Sequence, residues 1–260
     1  MDAICDDLEA EHDDLDRVIA DADLTVATPA AGWTVADQLS HLWFFDQRAL
    51  LALTDPKQFS ADAAALLAAV SDGVDPSVAQ GRTLSSAELL DLWRSDRERL
   101  VAFARTVDPK ARVPWYGPAM GARSFITARL METWAHGQDV VDGLGVTRQP
   151  TDRLRHVAHI GVGARPFSYV ANGRTVNETP VRVELVAPSG DTWAWGPEGA
   201  ADFVGGSALA FCLVVTQRRH RDDVVLDVRG QAADEWMSIA QAFAGPPGEG
   251  RRPGQFSQVP

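Results

Sequence analysis

Cysteine is scarce in this chain: only Cys5 and Cys212 occur among 260 residues. They lie far apart and neither belongs to a CxxC pair, so the sequence holds no cysteine-based zinc site. A disulfide between them is not expected, because the chain carries no sign of export to an oxidising compartment. Any metal ion bound by this protein is therefore expected to have nitrogen and oxygen ligands.

Long apolar runs and an excess of positive charge are also missing. No hydrophobic run approaches the roughly 20 residues needed to cross a bilayer. The N-terminal segment MDAICDD is acidic and lacks the basic start and apolar stretch of a signal peptide, so a cytoplasmic location is expected. The formal net charge of -12 disfavours contact with nucleic-acid phosphates. The expected partner is a small-molecule substrate, and neither nucleic acid nor a membrane.

Hydrophobic periodicity divides the chain into two parts. The first part shows helical periodicity in four long segments, and an alanine-rich stretch from Pro56 to Gly81 separates the second segment from the third. Four such helices predict an antiparallel bundle over residues 1–150. After Pro150, alternating apolar residues indicate strands mixed with helices. Residues 151–260 are therefore predicted to form a smaller α+β domain.

The fourth predicted helix carries a polar face beside its apolar face. At 100° per residue, Glu132, His136 and Asp139 fall on the same side. Glu132 and His136 are four residues apart, so both side chains can reach one point in space. Asp139 is placed to accept the proton of the second ring nitrogen of His136. A Glu–His pair at this spacing also occurs as a surface ion pair, and that interpretation stays open.

A third ligand is expected from the second predicted helix, which Thr34 and Asp37 open with the pattern of a capping box. His41 lies inside this helix among almost exclusively apolar neighbours. A neutral imidazole in such surroundings needs a partner, and a metal ion suits it. The alternative is a core histidine bonded to a carbonyl group. Taken together, His41, Glu132 and His136 predict a site for one divalent metal ion.

The order of these residues resembles a known family. A histidine in the second helix followed by the motif ETWAHGQD, residues 132–139, is similar to the DinB-like bundle of the mycothiol-dependent maleylpyruvate isomerases. The segment GWTVADQLSHL, residues 32–42, resembles that family's approach to its first ligand. More closely, the whole chain resembles an uncharacterised actinobacterial metal-binding branch of this superfamily. The resemblance implies an N-terminal DinB-like four-helix bundle with a smaller C-terminal α+β domain.

The donor set and the resemblance together suggest a chemistry. Two imidazoles and one carboxylate leave coordination positions open for water or substrate. Zinc is the expected ion, with nickel and ferrous iron as alternatives. The resemblance implies mycothiol as a thiol cofactor, and a thiol-dependent isomerase or transferase acting on a small molecule. A metal-dependent hydrolase that uses bound hydroxide, and a non-catalytic metal-binding or sensing protein, are the alternative functions.

Glu11 and Arg218 are the candidate catalytic residues. Glu11 lies on the apolar stripe of the first predicted helix, so it is predicted to point toward the metal as a fourth ligand or general base; the alternative is a buried ion pair, for instance with Arg129. The resemblance implies that Arg218, in the second domain, binds a substrate carboxylate, and a guanidinium suits that task. The alternative for Arg218 is the capping of a helix C-terminus. His12 is expected to be solvated, and Asp46 to make a structural hydrogen bond.

Overall fold

The computed structural model describes residues 1–69 and 75–259, and the chain divides into two compact units, Met1–Arg148 and Gln149–Pro260. The division lies two residues before the predicted boundary at Pro150. Part of the alanine-rich stretch between Pro56 and Gly81, residues 70–74, lies outside the described residues. No described helix is both long enough and apolar enough to span a bilayer.

The first unit is a helical bundle, in agreement with the predicted fold class. Helix α2 packs against two other long helices, α5 and α6, and α1 packs against the same two. Buried leucine, valine, isoleucine and tryptophan side chains of these helices form the core between them. Two short antiparallel strands precede α6. The bounds are α1 Asp2–Ile19, α2 Val35–Thr54, α3 Pro56–Ala69, α4 Pro76–Ala79, α5 Ser86–Ala104, β1 Arg112–Val113, β2 Met120–Gly121 and α6 Ala122–Leu144.

Local sequence signals define where the long helices begin and end. Thr34 and Asp37 form the predicted capping box of α2, because each side chain accepts a hydrogen bond from the backbone N–H of the other. Ser85 and Glu88 do the same at α5. Such boxes satisfy amide groups that the first helical turn leaves without partners. Gly145, with φ 67°, follows α6 in the left-handed conformation typical of a helix C-terminus.

The second unit mixes helices with a four-stranded sheet, as predicted. The strand order in this sheet is β4-β3-β5-β6, with β3 and β5 parallel and the other two pairs antiparallel. Helix α9 follows β5 directly and packs against α7. The bounds are α7 Leu154–Gly163, α8 Arg165–Ala171, β3 Val181–Val186, β4 Thr192–Trp195, β5 Asp202–Ser207, α9 Ala208–Val215, β6 Leu226–Arg229 and α10 Gln231–Ile239.

Two elements of the second unit differ from the sequence prediction. The helical periodicity of residues 152–165 predicts one helix, but the structure has two helices here. Pro166 stands in the first turn of the second one, where its missing N–H costs nothing. Strand β5 was not predicted. It contains Gly205 and Gly206, which interrupt the apolar alternation that signals a strand. Pairing with β3 and β6 on both sides stabilises β5 despite this low intrinsic preference.

Candidate metal centre

The structure brings His41, Glu132 and His136 together. One ligand atom of each lies within 4.8 Å of the others. The two imidazole rings are 4.4 Å apart between centroids, and His136 Nε2 lies 3.4 Å from Glu132 Oε2. Two ligands bonded to one ion at about 2.2 Å lie at most about 4.4 Å apart. Small side-chain movements are therefore enough for the three groups to share one ion.

Two helices supply these groups, and aromatic rings surround them. His41 comes from α2, and the other two come from successive turns of α6. The Trp33 ring stacks over His136 with centroids 6.1 Å apart and lies 5.2 Å from His41, while Phe45 lies 4.7 Å from His41. His136 is buried, and the other two groups are half-buried. The rings restrict rotation of the imidazoles and exclude water from part of their surface, which strengthens local electrostatic interactions.

The second ring nitrogen of His136 is held by a buried glutamine. His136 Nδ1 lies 2.6 Å from Gln38 Oε1, and Gln38 Nε2 donates to Thr28 Oγ1 at 2.9 Å. Thr28 Oγ1 donates in turn to the backbone carbonyl of Trp33 at 3.0 Å. The prediction that Asp139 takes this place is wrong, because Gln38, which is fully buried on α2, contacts Nδ1 across the bundle.

The second ring nitrogen of His41 is held by a serine. His41 Nδ1 lies 2.8 Å from Ser77 Oγ, and Ser77 Oγ donates to Asp75 Oδ1 at 2.7 Å. Asp75 caps the short helix α4, and Ser77 lies in its first turn. Ser40 Oγ donates to the Ser77 carbonyl at 2.9 Å, which fixes α4 against α2. Ser77 and Asp75 were missed at the sequence level, since they are 36 and 34 positions from His41 and belong to no recognisable motif.

Glu11 is buried, as its place on the apolar stripe predicts, and it forms an ion pair. Its partner is Arg148, with Nη1 to Oε1 at 3.2 Å, and Arg148 Nη2 also donates to the Trp134 carbonyl at 2.7 Å. Arg129, the partner considered from the sequence, instead binds Asp46. Glu11 is not among the grouped donor atoms of the candidate metal centre. Its catalytic role stays a prediction.

His12 is not solvated, so that prediction is wrong. Its side chain is 1% exposed and its ring meets the Trp93 ring edge-on, with centroids 6.0 Å apart. His12 Nε2 lies 3.9 Å from Asp46 Oδ2. Burial, with a smaller contribution from the positive charges of Arg97 and Arg129, lowers the pKa of His12 well below its usual value of 6.5. His12 is therefore neutral in the folded protein at neutral pH.

Arg218 lies just beyond the C-terminus of α9 in the second unit. Its Nη1 donates to the Thr216 carbonyl at 2.6 Å, and its backbone N–H donates to the Leu213 carbonyl at 2.8 Å. These contacts are those of a residue that caps a helix end. They leave the predicted binding of a substrate carboxylate by Arg218 as a prediction.

The first unit thus has the architecture of a DinB-like helical bundle, and two histidines and one carboxylate form its candidate metal centre. Residues 5–141 match the family model of the mycothiol maleylpyruvate isomerase N-terminal domain, and this segment contains all three candidate ligands. The chain belongs to this family, which confirms the resemblance seen in the sequence. A second family model, described as wyosine base formation, matches residues 177–227.

Relatives and solved structures extend the comparison. Two uncharacterised proteins of Mycobacterium tuberculosis, from strains CDC 1551 / Oshkosh and ATCC 25618 / H37Rv, are each 48% identical over 248 residues, which is 94% of this chain and 96% of theirs. The crystal structure of a mycothiol-dependent maleylpyruvate isomerase is 18% identical with a TM-score of 0.55, and covers 84% of this chain and 89% of its own. A histidine-to-alanine mutant of that isomerase matches with 17% identity and the same TM-score of 0.55. At these identities the two structures show a shared fold.

Proposed function

We propose that this protein is a metal-dependent enzyme that uses a thiol cofactor of the mycothiol type to isomerise, or transfer a group to, a small molecule. The observation that carries the proposal is the convergence of His41, Glu132 and His136 on one point. The thiol and the isomerase reaction come from the names of the family and of the solved isomerase. One divalent ion per chain would be held by these three residues, with zinc as the first candidate and nickel or ferrous iron as alternatives.

The chemistry of the donor set fits such an ion. His136 Nε2 faces the Glu132 carboxylate at 3.4 Å while its Nδ1 is engaged with Gln38. When the proton of His136 is on Nδ1, its Nε2 presents a lone pair toward this carboxylate, and a positive charge between them would be attracted to both groups. A metal ion supplies that charge and can bind His41 as well.

The number of ligands favours an enzyme over a structural metal site. Within the described part of the chain, no fourth histidine, cysteine or acidic residue joins the group. Structural zinc sites have four protein ligands, whereas catalytic sites have three and an open position. When bound, the ion would lower the pKa of a coordinated thiol and polarise a substrate carbonyl.

The surrounding residues suit a thiol better than water as the activated group. The charge of Glu132 offsets part of the charge of a divalent ion, which leaves a weaker Lewis acid than a three-histidine site. A thiol ionises about seven pKa units more easily than bulk water, so it needs less help. Trp33 and Phe45 place apolar rings beside His41, and these rings exclude water from the approach to it.

Metal analysis of the purified protein tests the ligand assignment. About one divalent ion per chain is expected in the wild type, and almost none in a His41→Ala, His136→Ala double variant. His159→Ala is a matched control, because this histidine lies in the second unit and accepts a hydrogen bond from Trp195. Full metal content in the double variant would show that the three residues are not the ligands.

Titration of the cobalt-loaded protein with mycothiol tests the thiol. A sulfur-to-cobalt charge-transfer band is expected. The control is a titration of the same wild-type protein with the S-methyl derivative of mycothiol, which should give no such band. Turnover that needs no thiol, with no such band, would favour the metal-dependent hydrolase instead.

We propose in addition that Arg218 binds a substrate carboxylate. Arg218→Ala should then weaken carboxylate binding while Arg221→Ala, which loses an exposed pair with Asp234, should not.

A further inference from the structure

We infer that Gln38 and Ser77 are positioning residues that hold His136 and His41 in one tautomer, with the proton on Nδ1 and the lone pair on Nε2. Gln38 Oε1 contacts Nδ1 of His136, whose Nε2 faces Glu132, and Ser77 Oγ contacts Nδ1 of His41. Their role in metal binding rests on the proposed function. The tautomer itself does not, since it follows from hydrogen bonds within the protein.

The direction of the hydrogen bonds around His136 follows from a backbone carbonyl. The Trp33 carbonyl can only accept, so the Thr28 hydroxyl donates to it. Thr28 Oγ1 must then accept from the Gln38 amide NH2 group, which turns Gln38 Oε1 toward His136. An amide oxygen also only accepts, so the proton between Gln38 Oε1 and His136 Nδ1, 2.6 Å apart, belongs to the imidazole.

The direction of the hydrogen bonds around His41 follows from a carboxylate. Asp75 Oδ1 accepts from both the backbone N–H and the hydroxyl of Ser77, at 2.9 Å and 2.7 Å. The only hydroxyl proton of Ser77 is used in that bond. Ser77 Oγ can therefore only accept from His41 Nδ1, 2.8 Å away, so Nδ1 carries the proton here too.

Both neutral imidazoles then present Nε2 lone pairs as metal ligands. The hydrogen-bond chains that begin at their Nδ1 atoms, called supports below, differ in charge. The support of His136 ends at a neutral carbonyl, and the support of His41 ends at a carboxylate. Since a carboxylate at the far end of such a hydrogen-bond chain raises the basicity of a ligating histidine, His41 should be the stronger donor of the two. Helix α2 carries both His41 and Gln38, three residues apart, so one helix holds a ligand and the support of the other ligand.

A nucleophilic role for Ser77 would be another way to read its contact with His41. Ser77 is 2% exposed, which denies a substrate access to its hydroxyl. Its proton is also directed to Asp75 rather than to His41, whereas a histidine base must receive the proton of the serine that it activates. The geometry therefore assigns Ser77 to positioning.

Nitrogen-15 spectra of the metal-free protein test the tautomers directly. Long-range proton–nitrogen correlations of labelled histidines, at a pH where the imidazoles are neutral, should show protonated Nδ1 for both His41 and His136. In Gln38→Met, His136 should move its proton to Nε2, where Glu132 can accept it. In Asp75→Ala, the freed Ser77 hydroxyl can donate to His41, and His41 should change tautomer. A proton on Nε2 of either histidine in the wild type would overturn the inference.

Cobalt affinity, measured by competition with a chelator, tests the consequence for the metal. Gln38→Met and Asp75→Ala should each weaken Co²⁺ binding about 10–100-fold, and Gln38→Glu, which keeps an acceptor oxygen, should restore most of it. Thr133→Val is the matched control, because Thr133 follows Glu132 in the sequence and its buried hydroxyl donates to the Arg129 carbonyl. Asp75 is exposed, so its variant should keep the fold of the bundle, with the loss confined to the N-cap of α4.

The two measurements separate the two hypotheses. A wild-type protein that binds no Co²⁺ but shows both Nδ1-protonated tautomers would refute the proposed function and leave the positioning intact. Wild-type Co²⁺ affinity and unchanged tautomers in both Gln38→Met and Asp75→Ala would refute the positioning and leave the metal centre intact.

Discussion

Arg129 donates to the fully buried carboxylate of Asp46, with Nη2 to Oδ1 at 2.8 Å and Nε to Oδ1 at 3.2 Å. This ion pair joins α6 to α2, the same two helices that carry the candidate metal ligands. Burial raises the pKa of Asp46, and the charge of Arg129 opposes that rise. The positive charge of Arg129 therefore reduces the free-energy cost of burying the Asp46 carboxylate in the core of the bundle.

Replacement of one partner should be more damaging than replacement of both. Arg129→Met leaves Asp46 buried without its cation, and the free energy of unfolding in urea should fall by about 3–5 kcal/mol. The double variant Arg129→Met, Asp46→Leu should recover most of this loss. The loss in Arg129→Met should also shrink as the pH is lowered, because without the charge of Arg129 the folded state binds a proton at Asp46 more tightly than the wild-type folded state does. A double variant less stable than Arg129→Met would contradict this account.

His12 should make the stability of the protein depend on pH. Its folded-state pKa lies well below 6.5, so between these values the unfolded chain binds a proton at His12 and the folded protein does not. Stability is then fully present above pH 6.5 and is lost as the pH falls, by up to about 1.4 kcal/mol per pH unit. Asp46, Arg97 and Arg129 are the charged groups around the ring.

Urea unfolding at several pH values checks this prediction. Between about pH 6.5 and pH 5, the wild type should lose more stability than His12→Gln, because the variant has no group that titrates at this position. Parallel curves for the two proteins would show that His12 does not bind its proton differently in the folded and unfolded states.

Most of the candidate metal centre could be predicted because its signals are local. The four-residue spacing of Glu132 and His136 fixes their common face on any helix, and the buried surroundings of His41 are visible in its neighbours. The capping boxes at Thr34 and Ser85 are also contained within four residues. The existence of these helices and the common face of Glu132 and His136 thus depend on short-range chemistry that a sequence displays.

The hydrogen-bond partners of the ligands could not be predicted, because they depend on packing between helices. Gln38 lies three residues before His41 in α2, but nothing in the sequence says which histidine its side chain faces. Asp75 and Ser77 come from the connection after α3, whose return to His41 is a tertiary contact. His12 was misplaced for the same reason, since Trp93 of α5 covers its edge of α1.

Substitution of Glu11 distinguishes a role in stability, through its ion pair with Arg148, from the predicted role in catalysis. Glu11→Gln removes the negative charge that pairs with Arg148 and should lower the free energy of unfolding by about 1–3 kcal/mol, with unchanged Co²⁺ affinity. Arg148→Met, measured in the same way, should give a similar loss. Unchanged stability together with reduced turnover at full metal content would instead support the catalytic role.

Gly143, near the end of α6, packs against the backbone of residues 27–28, and Thr28 belongs to the hydrogen-bond chain behind His136. A Cβ atom at this position would lie 2.9 Å from the Ala27 carbonyl oxygen and 3.2 Å from Thr28 Cα, so the backbone of residues 27–28 would have to move. Thr28 is the residue that orients Gln38. Gly143→Ala should therefore cost about 1–3 kcal/mol of stability, as overpacking does, although alanine is the better helix former.

Gly143→Ala should also weaken Co²⁺ binding. The effect should be smaller than the loss of about 10–100-fold expected when Gln38 itself is replaced, because Gln38 remains in this variant. Gly163→Ala is the matched control: Gly163 ends α7 in the second unit, and an added Cβ would meet nothing within 4 Å. Calorimetric melting and chelator competition on both variants measure the two effects. If Gly143→Ala lost stability but kept both wild-type Co²⁺ affinity and the Nδ1-protonated form of His136, Thr28 would not be needed to orient Gln38, and the hydrogen-bond chain would begin at Gln38 itself.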